Sequence, residues 1–357
     1  MNINRSPGFP RGFAYDPKRL AEIQLRPKYG GSGSISRAEL YLPVSDSLEI
    51  IDANVTDITD WADDIGGDLA RRISDLLKSA TKPNAEFAGL PLSEPLLIGV
   101  INVTPDSFHD GGRYDKAQGA IAQGVALINA GAKILDIGGE STRPGADPVS
   151  VEEEIARVVP VIEHFAAVDI ELSVDTRRPE VMKAGLVAGA KIVNDVTALQ
   201  SEGAIEIVRD ANASAILMHM KGQPQTMQQE PYYDNAPYEV ARFLEGRVEV
   251  CEQRGLSRDR LAIDPGIGFG KLDRHNFELL QSISMLHGFG VPVALGVSRK
   301  SFIGRVANVE DTNDRLPGTV AATLYAITQN VQIHRVHDVA EIKQALTIWH
   351  QCQENAK

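Results

Sequence analysis

Apolar and β-branched residues gather in eight short runs that each end in polar residues. These are residues 97–102, ILDIGGEST (134–142), LSVDT (172–176), IVNDV (192–196), AILMHM (215–220), LAIDPG (261–266), VALGVSRK (293–300) and HRVHD (334–338). Runs of this length with Gly, Asp and Ser near their ends predict strands. Enough chain for a helix separates each run from the next. Within 116–131, Ala117, Ala120, Ile121, Val125 and Ile128 share one helical face. Ser150 and Glu153 make a capping-box pair at the start of 150–167. Pro237 suits the first position of a helix over 237–254, and a last helix is expected over 339–353. Strands alternating with helices predict a parallel sheet. Eight such units in about 250 residues predict a closed (β/α)8 TIM barrel, whose strand ends face a common mouth.

The first 94 residues follow another pattern. Residues 1–35 are rich in Gly, Pro, Ser and Arg and carry little periodicity, so loop or a loosely packed arm is expected. ELYLPV (39–44) predicts a short strand. Across 57–79, Ile58, Trp61, Ile65, Leu69, Ile73 and Leu76 recur every three or four residues, which predicts one amphipathic helix. Its acids, Asp60, Asp63 and Asp64, come early and its cations, Arg71, Arg72 and Lys78, come late, as the helix dipole favours. Residues 81–95 read as a linker. The expected division is therefore an α+β or irregular extension over 1–94 and a barrel over 95–357.

Composition narrows the partners. A formal net charge of −12 argues against nucleic acid and anionic membrane surfaces, yet allows a local basic pocket for a small anion. No run approaches the 18 or so apolar residues of a membrane span, and MNINRSPGFP lacks a signal-peptide core. A cytoplasmic location is expected. Cys251 and Cys352 are the only cysteines, with no CxxC spacing, so neither a disulfide framework nor a zinc site is expected.

Asp175 closes one run, Asp264 closes another, and Asn194 and Asp195 lie within a third. A carboxylate at a barrel mouth accepts two hydrogen bonds from a planar N–H pair, such as the guanidine-like edge of a heterocycle. Helix capping is the competing use of such an Asp. SRKS (298–301) brings two adjacent cations to a strand end, where an anion, a carbonyl or the acids above must meet them. In HRVHD, Arg335 and His337 share a strand face and suit a phosphate, whereas His334 and His337 point to opposite faces and make a poor metal pair. Asn102 offers a hard amide oxygen for Mg²⁺ beside phosphate. The amides and Thr142 of GGESTRPG (138–145) can hold an anion. DPGIGFGK (264–271) fails both as a dinucleotide fingerprint and as a P-loop, because Lys271 and Leu272 stand where Gly and Ser or Thr are required. Its glycines make a tight loop exposing Asp264. His219 suits core and site equally. Met218 and Met220 pack a flat ring or fill core.

Together, NVTPDSF (102–108), GGESTRPGA (138–146), SVDT (173–176), VNDV (193–196), LMHM (217–220), DPGIGFGK (264–271), SRKS (298–301) and RVHD (335–338) closely resemble the dihydropteroate synthase family, in family order over roughly 95–353. The resemblance implies a TIM barrel, usually a homodimer, that condenses 6-hydroxymethyl-7,8-dihydropterin diphosphate with p-aminobenzoate, assisted by Mg²⁺. It implies a pterin pocket of Asp175, Asn194, Met218, Asp264 and Lys300. It implies a diphosphate site of Asn102, Thr142, Arg335 and His337, with Asn102 toward the metal. It also implies a p-aminobenzoate and sulfonamide region at Phe108, Thr142, Arg143, Pro144 and Ser301. Asp175, Lys300, Arg335 and His337 are the expected catalytic residues. His109 stands where the family commonly has Ser, and the first 94 residues have no counterpart in its minimal form. Two alternatives remain open: a methyltetrahydrofolate-dependent methyltransferase with the same barrel but no diphosphate site, and a non-catalytic pterin-binding paralogue.

Overall fold

A computed structural model describes residues 1–9, 13, 15–30, 34–82, 84–103, 113–141 and 148–354. Four strands, β1 (Asn2–Pro7), β2 (Gln24–Tyr29), β3 (Ile35–Val44) and β4 (Ser47–Asn54), open the chain, followed by helices α1 (Val55–Ile65) and α2 (Gly67–Thr81) and a small hairpin, β5 (Glu86–Phe87) and β6 (Leu90–Pro91). The barrel strands are β7 (Leu96–Asn102), β8 (Ile134–Gly138), β9 (Glu171–Asp175), β10 (Ile192–Asp195), β11 (Ser214–Met218), β12 (Leu261–Asp264), β13 (Ala294–Leu295) and β14 (Ile333–Val336). Between and after them lie α3 (Arg113–Ala130), α4 (Val151–Phe165), α5 (Pro179–Ala188), α6 (Ala204–Asp210), α7 (Ala236–Gln253), α8 (Asp273–Ser282), α9 (Ser301–Ala307), α10 (Leu316–Thr328) and α11 (Val339–Glu354). The eight strands run in the order β12-β11-β10-β9-β8-β7-β14-β13, all pairs parallel. A parallel bridge between Ile263 and Val293 joins the two ends, closing the (β/α)8 barrel.

The strand period of two explains the interior. Leu135, Ile137, Val174, Leu217 and Ile263 turn outward and pack with helix residues such as Val158, Val161 and Val240. Ile98, Ile134, Ile192, Ile216, Ala262, Ala294 and Ile333 turn inward as one apolar floor. One pleat further along, the inward positions are Val100, Asp136, Asn194, Met218, Asp264, Gly296 and Arg335. The change from apolar to polar is thus a single step up the barrel.

The extension departs from expectation in three ways. Residues 1–35 are not merely loop, since they hold β1 and β2, the two edges of a sheet ordered β1-β4-β3-β2. Edge strands tolerate Pro and charge more readily than central strands, and QLRPKY, with Arg26, Pro27 and Lys28 in succession, hides its strand for that reason. The strand expected at 39–44 runs from Ile35 to Val44. The single helix expected over 57–79 is two, broken at Gly66 and Gly67, both at positive φ. Leu40, Leu42, Ile51 and Ala53 face α1 and α2, while Tyr41, Leu48 and Ile50 join the barrel core, with Tyr41 stacked on Tyr238 of α7. Buried Glu245 of α7 takes one hydrogen bond from Gln24 (2.5 Å) and an ion pair from Arg72 (2.7 Å).

Residues 81–95 do more than link. Phe87, at the tip of the hairpin, is fully buried and packs with Leu92 into the apolar barrel floor. Phe87→Ala leaves a cavity there and is expected to cost about 3–5 kcal/mol in urea unfolding of the full chain. A loss below about 1 kcal/mol would mean that the hairpin does not seal the barrel.

Candidate active site

Arg335 organises the mouth. It lies on β14, one pleat above the floor residue Ile333. Its Nε donates to Asp136 Oδ2 at 2.5 Å and its Nη2 to Asp175 Oδ2 at 2.7 Å. Asn194 Nδ2 donates to the same Asp136 oxygen at 3.0 Å. Asp136 is fully buried, and its Oδ1 has no hydrogen-bond partner among the described residues. An open oxygen on a buried carboxylate marks a place for a ligand donor. Across the barrel, Asp264 Oδ1 accepts from Gly266 N–H at 2.7 Å, and Lys300 donates to the Ile267 carbonyl. Gly296 lies among these groups. A Cβ on it would sit 3.9 Å from Arg335 Cβ, Asp264 Oδ2 and Lys300 Nζ alike. Residues from β8, β9, β10, β12, the end of β13 and β14 therefore meet at one end of the barrel.

The electrostatics follow from burial. Burial raises the Asp175 carboxyl to about 7; Arg335 opposes this, while Asp136, Glu154 and Asp195 add to it. Asp264 is also raised by burial, against the pull of Lys300. Burial lowers Lys300 to about 8, with Asp264 resisting. For Arg335 burial works against the charge, but Asp136 and Asp175 outweigh it and hold the guanidinium firmly ionised.

Other expected residues divide clearly. Met218 is buried at the end of β11, beside Asp264 in the strand register. Asn102 ends β7 half-buried, level with Gly138. His337 follows β14, with Nδ1 3.0 Å from Ser298 Oγ. Ser301 is the first, exposed residue of α9. Phe108, Thr142, Arg143 and Pro144 lie outside the described residues, as does His109. Of the two adjacent cations, only Lys300 faces the mouth. Arg299, at φ +57°, turns away to pair with Asp338 and Asn313. That pair ties the loop carrying Lys300 to the loop carrying His337. Asp195 also turns outward and caps the amides of Thr197 and Leu199 at 2.7 and 2.8 Å. Buried His334 bonds the Val331 carbonyl at 3.1 Å, away from the mouth.

Two contributors escape a reading of strand ends alone. Asp136 sits mid-run in ILDIG, where it passes for a tolerated core polar. Its signal is the pleat, because it lies two residues before Gly138 and two after Ile134. Glu140, just past β8, pairs with Arg177 (3.2 Å) and Arg178 (2.7 Å) after β9. Arg178 also meets buried Glu154 at 3.1 Å, which takes the Thr176 hydroxyl at 2.6 Å. This network braces the loop bearing Asp175 from behind.

Comparisons with known proteins identify the family. Residues 98–337 match the profile of the pterin binding enzyme family. The dihydropteroate synthase of Escherichia coli strain K12 is 44% identical over 265 residues, covering 74% of this chain and 94% of its own. The Xanthomonas albilineans dihydropteroate synthase solved with 4-aminobenzoic acid superposes with a TM-score of 0.70 at 47% identity, covering 74% of this chain and 95% of its own. A structure of the X. albilineans enzyme with 7,8-dihydropteroate gives 0.69 at 44% identity, covering 76% and 99%. The chain belongs to the pterin binding enzyme family, among the dihydropteroate synthases.

Proposed function

We propose that the chain joins 6-hydroxymethyl-7,8-dihydropterin diphosphate to p-aminobenzoate, giving 7,8-dihydropteroate and diphosphate. The observation that carries this reading is the convergence of Asp264, Lys300 and Arg335 around Gly296, with Arg335 in turn holding Asp136 and Asp175. A dihydropterin presents a planar N–H pair and ring acceptors to such a set. Asp264 accepts the N–H pair, Lys300 donates to the ring, and Asn194 and Met218 complete the pocket. Asn102, Arg335 and His337 meet the diphosphate, and Thr142 belongs to the same group. Phe108, Thr142, Arg143, Pro144 and Ser301 form the p-aminobenzoate region.

In the reaction, the methylene C–O bond breaks and its electron pair leaves with diphosphate. The aniline nitrogen forms the new C–N bond and gives its extra proton to solvent. No side-chain nucleophile is required. Asp175 stabilises positive charge on the methylene, and Arg335 and His337 stabilise the departing anion. A methyl transfer would make no use of a diphosphate site at Asn102, Arg335 and His337. Diphosphate release that depends on p-aminobenzoate tests the reading. Its absence, with the protein folded and pterin bound, would leave a non-catalytic binder.

Magnesium fits in one way. Asn102 offers a single amide oxygen, and among the described residues no group of three His, Cys, Asp or Glu side chains gathers to hold an ion. Such a donor set suits Mg²⁺ that arrives on the diphosphate with water in its other positions. Bound there, the ion would neutralise charge on the leaving group. Chelation is therefore expected to slow turnover by about tenfold and leave the melting temperature unchanged. A chelator that lowers the melting temperature would point to a resident metal instead.

The extension over 1–94 is read as a brace for α7, and a homodimer is the expected assembly. Among the described residues, no helix is long and apolar enough to cross a membrane.

A further inference from the structure

Beneath the mouth lies a buried lysine that the reaction above does not use. Lys271, the last residue of DPGIGFGK, has no exposed surface. Its Nζ is 2.9 Å from His219 Nδ1, 2.9 Å from the Phe269 carbonyl and 3.3 Å from the His219 carbonyl. Two loops meet there: 264–271 after β12, and 219–235 after β11. Gly266 and Gly270 both have positive φ. A Cβ on them would lie 1.9 Å from the His219 carbonyl oxygen and 2.1 Å from that of Lys221, so the loops pack backbone to backbone. Gln228 Nε2 donates to the Gly268 carbonyl at 2.5 Å and Tyr233 Oη to that of Gly270 at 2.9 Å, extending the same seam. Asp264 is the first residue of one loop, and Met218 immediately precedes the other.

The surroundings of Nζ are informative. Three acceptors around it match the three N–H groups of an ammonium. Burial, with the Lys271 charge adding, lowers His219 to about 2, so the ring is neutral and can accept at Nδ1. Burial, with Lys300 and Lys221 adding, holds the Lys271 amine well below its ordinary value, against the pull of Asp264. Lys300 lies in the mouth beside Asp264, and Lys271 lies behind it.

We propose that Lys271 is a positioning residue for the pterin ring: it ties the loop that follows Asp264 to the loop that follows Met218 and so aims the Asp264 carboxylate. This rests on Asp264 as acceptor of the ring's N–H pair. Lys271 touches no substrate and acts only through its neighbour.

Lys271→Met keeps the length and removes the polar contacts that tie the two loops. Calorimetry with the pterin diphosphate should show affinity weakened about tenfold, with kcat at saturation changed less than about threefold. Unchanged affinity, or a loss of kcat as large as the loss of affinity, would overturn the proposal, since a lysine that serves the fold alone gives no selective loss of pterin binding. Lys271→Gln keeps donors for the two carbonyls and carries the same expectation if the Met variant does not fold. Failure of both to fold would assign Lys271 to stability alone and equally overturn it. Asp264→Asn separates the layers. Unchanged pterin affinity in that variant removes the role of Asp264 itself, whereas weakened affinity there with unchanged affinity in the Lys271 variants removes only this proposal.

Discussion

Asp175→Asn should lower turnover by more than about tenfold and, at pH 8, raise the melting temperature. The first effect follows from charge. Asp175 is the acid at the end of β9 whose oxygen is held by Arg335 at 2.7 Å, and only its ionised form can stabilise a cationic methylene. An amide keeps the shape and loses that charge. The second effect follows from burial, which raises the carboxyl to about 7. In the unfolded chain an Asp titrates near about 3.9. The folded protein therefore binds this proton more readily than the unfolded chain does. The resulting stability is complete below the unfolded value and lost as pH rises through about 7. Asn imitates the protonated acid and keeps at pH 8 what the carboxylate forfeits, while Arg335 retains Asp136. The variant's thermal advantage should thus widen from pH 5 to pH 8, and the parent's rate should fall as pH drops below about 7. A variant less stable at pH 8 would show that pairing with Arg335 outweighs desolvation. Unchanged turnover would remove Asp175 from the chemistry.

Lys300→Met should weaken pterin binding by about tenfold or more, because it deletes both a ring donor and the cation nearest Asp264. Here burial acts in the opposite sense and holds the ammonium at about 8. A free lysine titrates near about 10.4, so folding favours the neutral amine. Stability from that neutral form is present above the unfolded value and lost as pH falls through about 8. Met is expected to stabilise the protein at pH 7 and to make little difference above pH 10 or so. Affinity in the parent should decline as pH climbs past about 8, and the variant should lack that limb. Calorimetry across pH 6.5 to 9.5 checks both. A variant that binds as tightly as the parent would mean that Lys300 serves the loop through Ile267 alone.

Much of this was readable from residue order. The barrel strands declare themselves because each is buried on both faces, and Asp175, Asn194, Asp264 and Arg335 sit where the pleat turns polar. Asp136 was harder. Flanking Leu135 and Ile137 face the helices, so a residue between them looks like core until its inward direction is counted from Ile134. Arg299 and Lys300 are equivalent in sequence, and only the left-handed backbone at Arg299 sends one cation outward. The extension's edge strands were illegible because an edge needs neither alternation nor freedom from Pro. The helix break at Gly66 was masked by a periodicity that runs past it.

Phe87 plugs the far end of the barrel, and among the described residues the isoleucines above it close over it as one packed cluster. Traffic is therefore one-way in space: everything enters and departs by the same opening. A ring lodged against Asp264 and Asn194 would lie deeper than an amine waiting at Ser301. Whichever molecule must go deepest has to arrive first, and the finished conjugate can back out only after the rim has cleared.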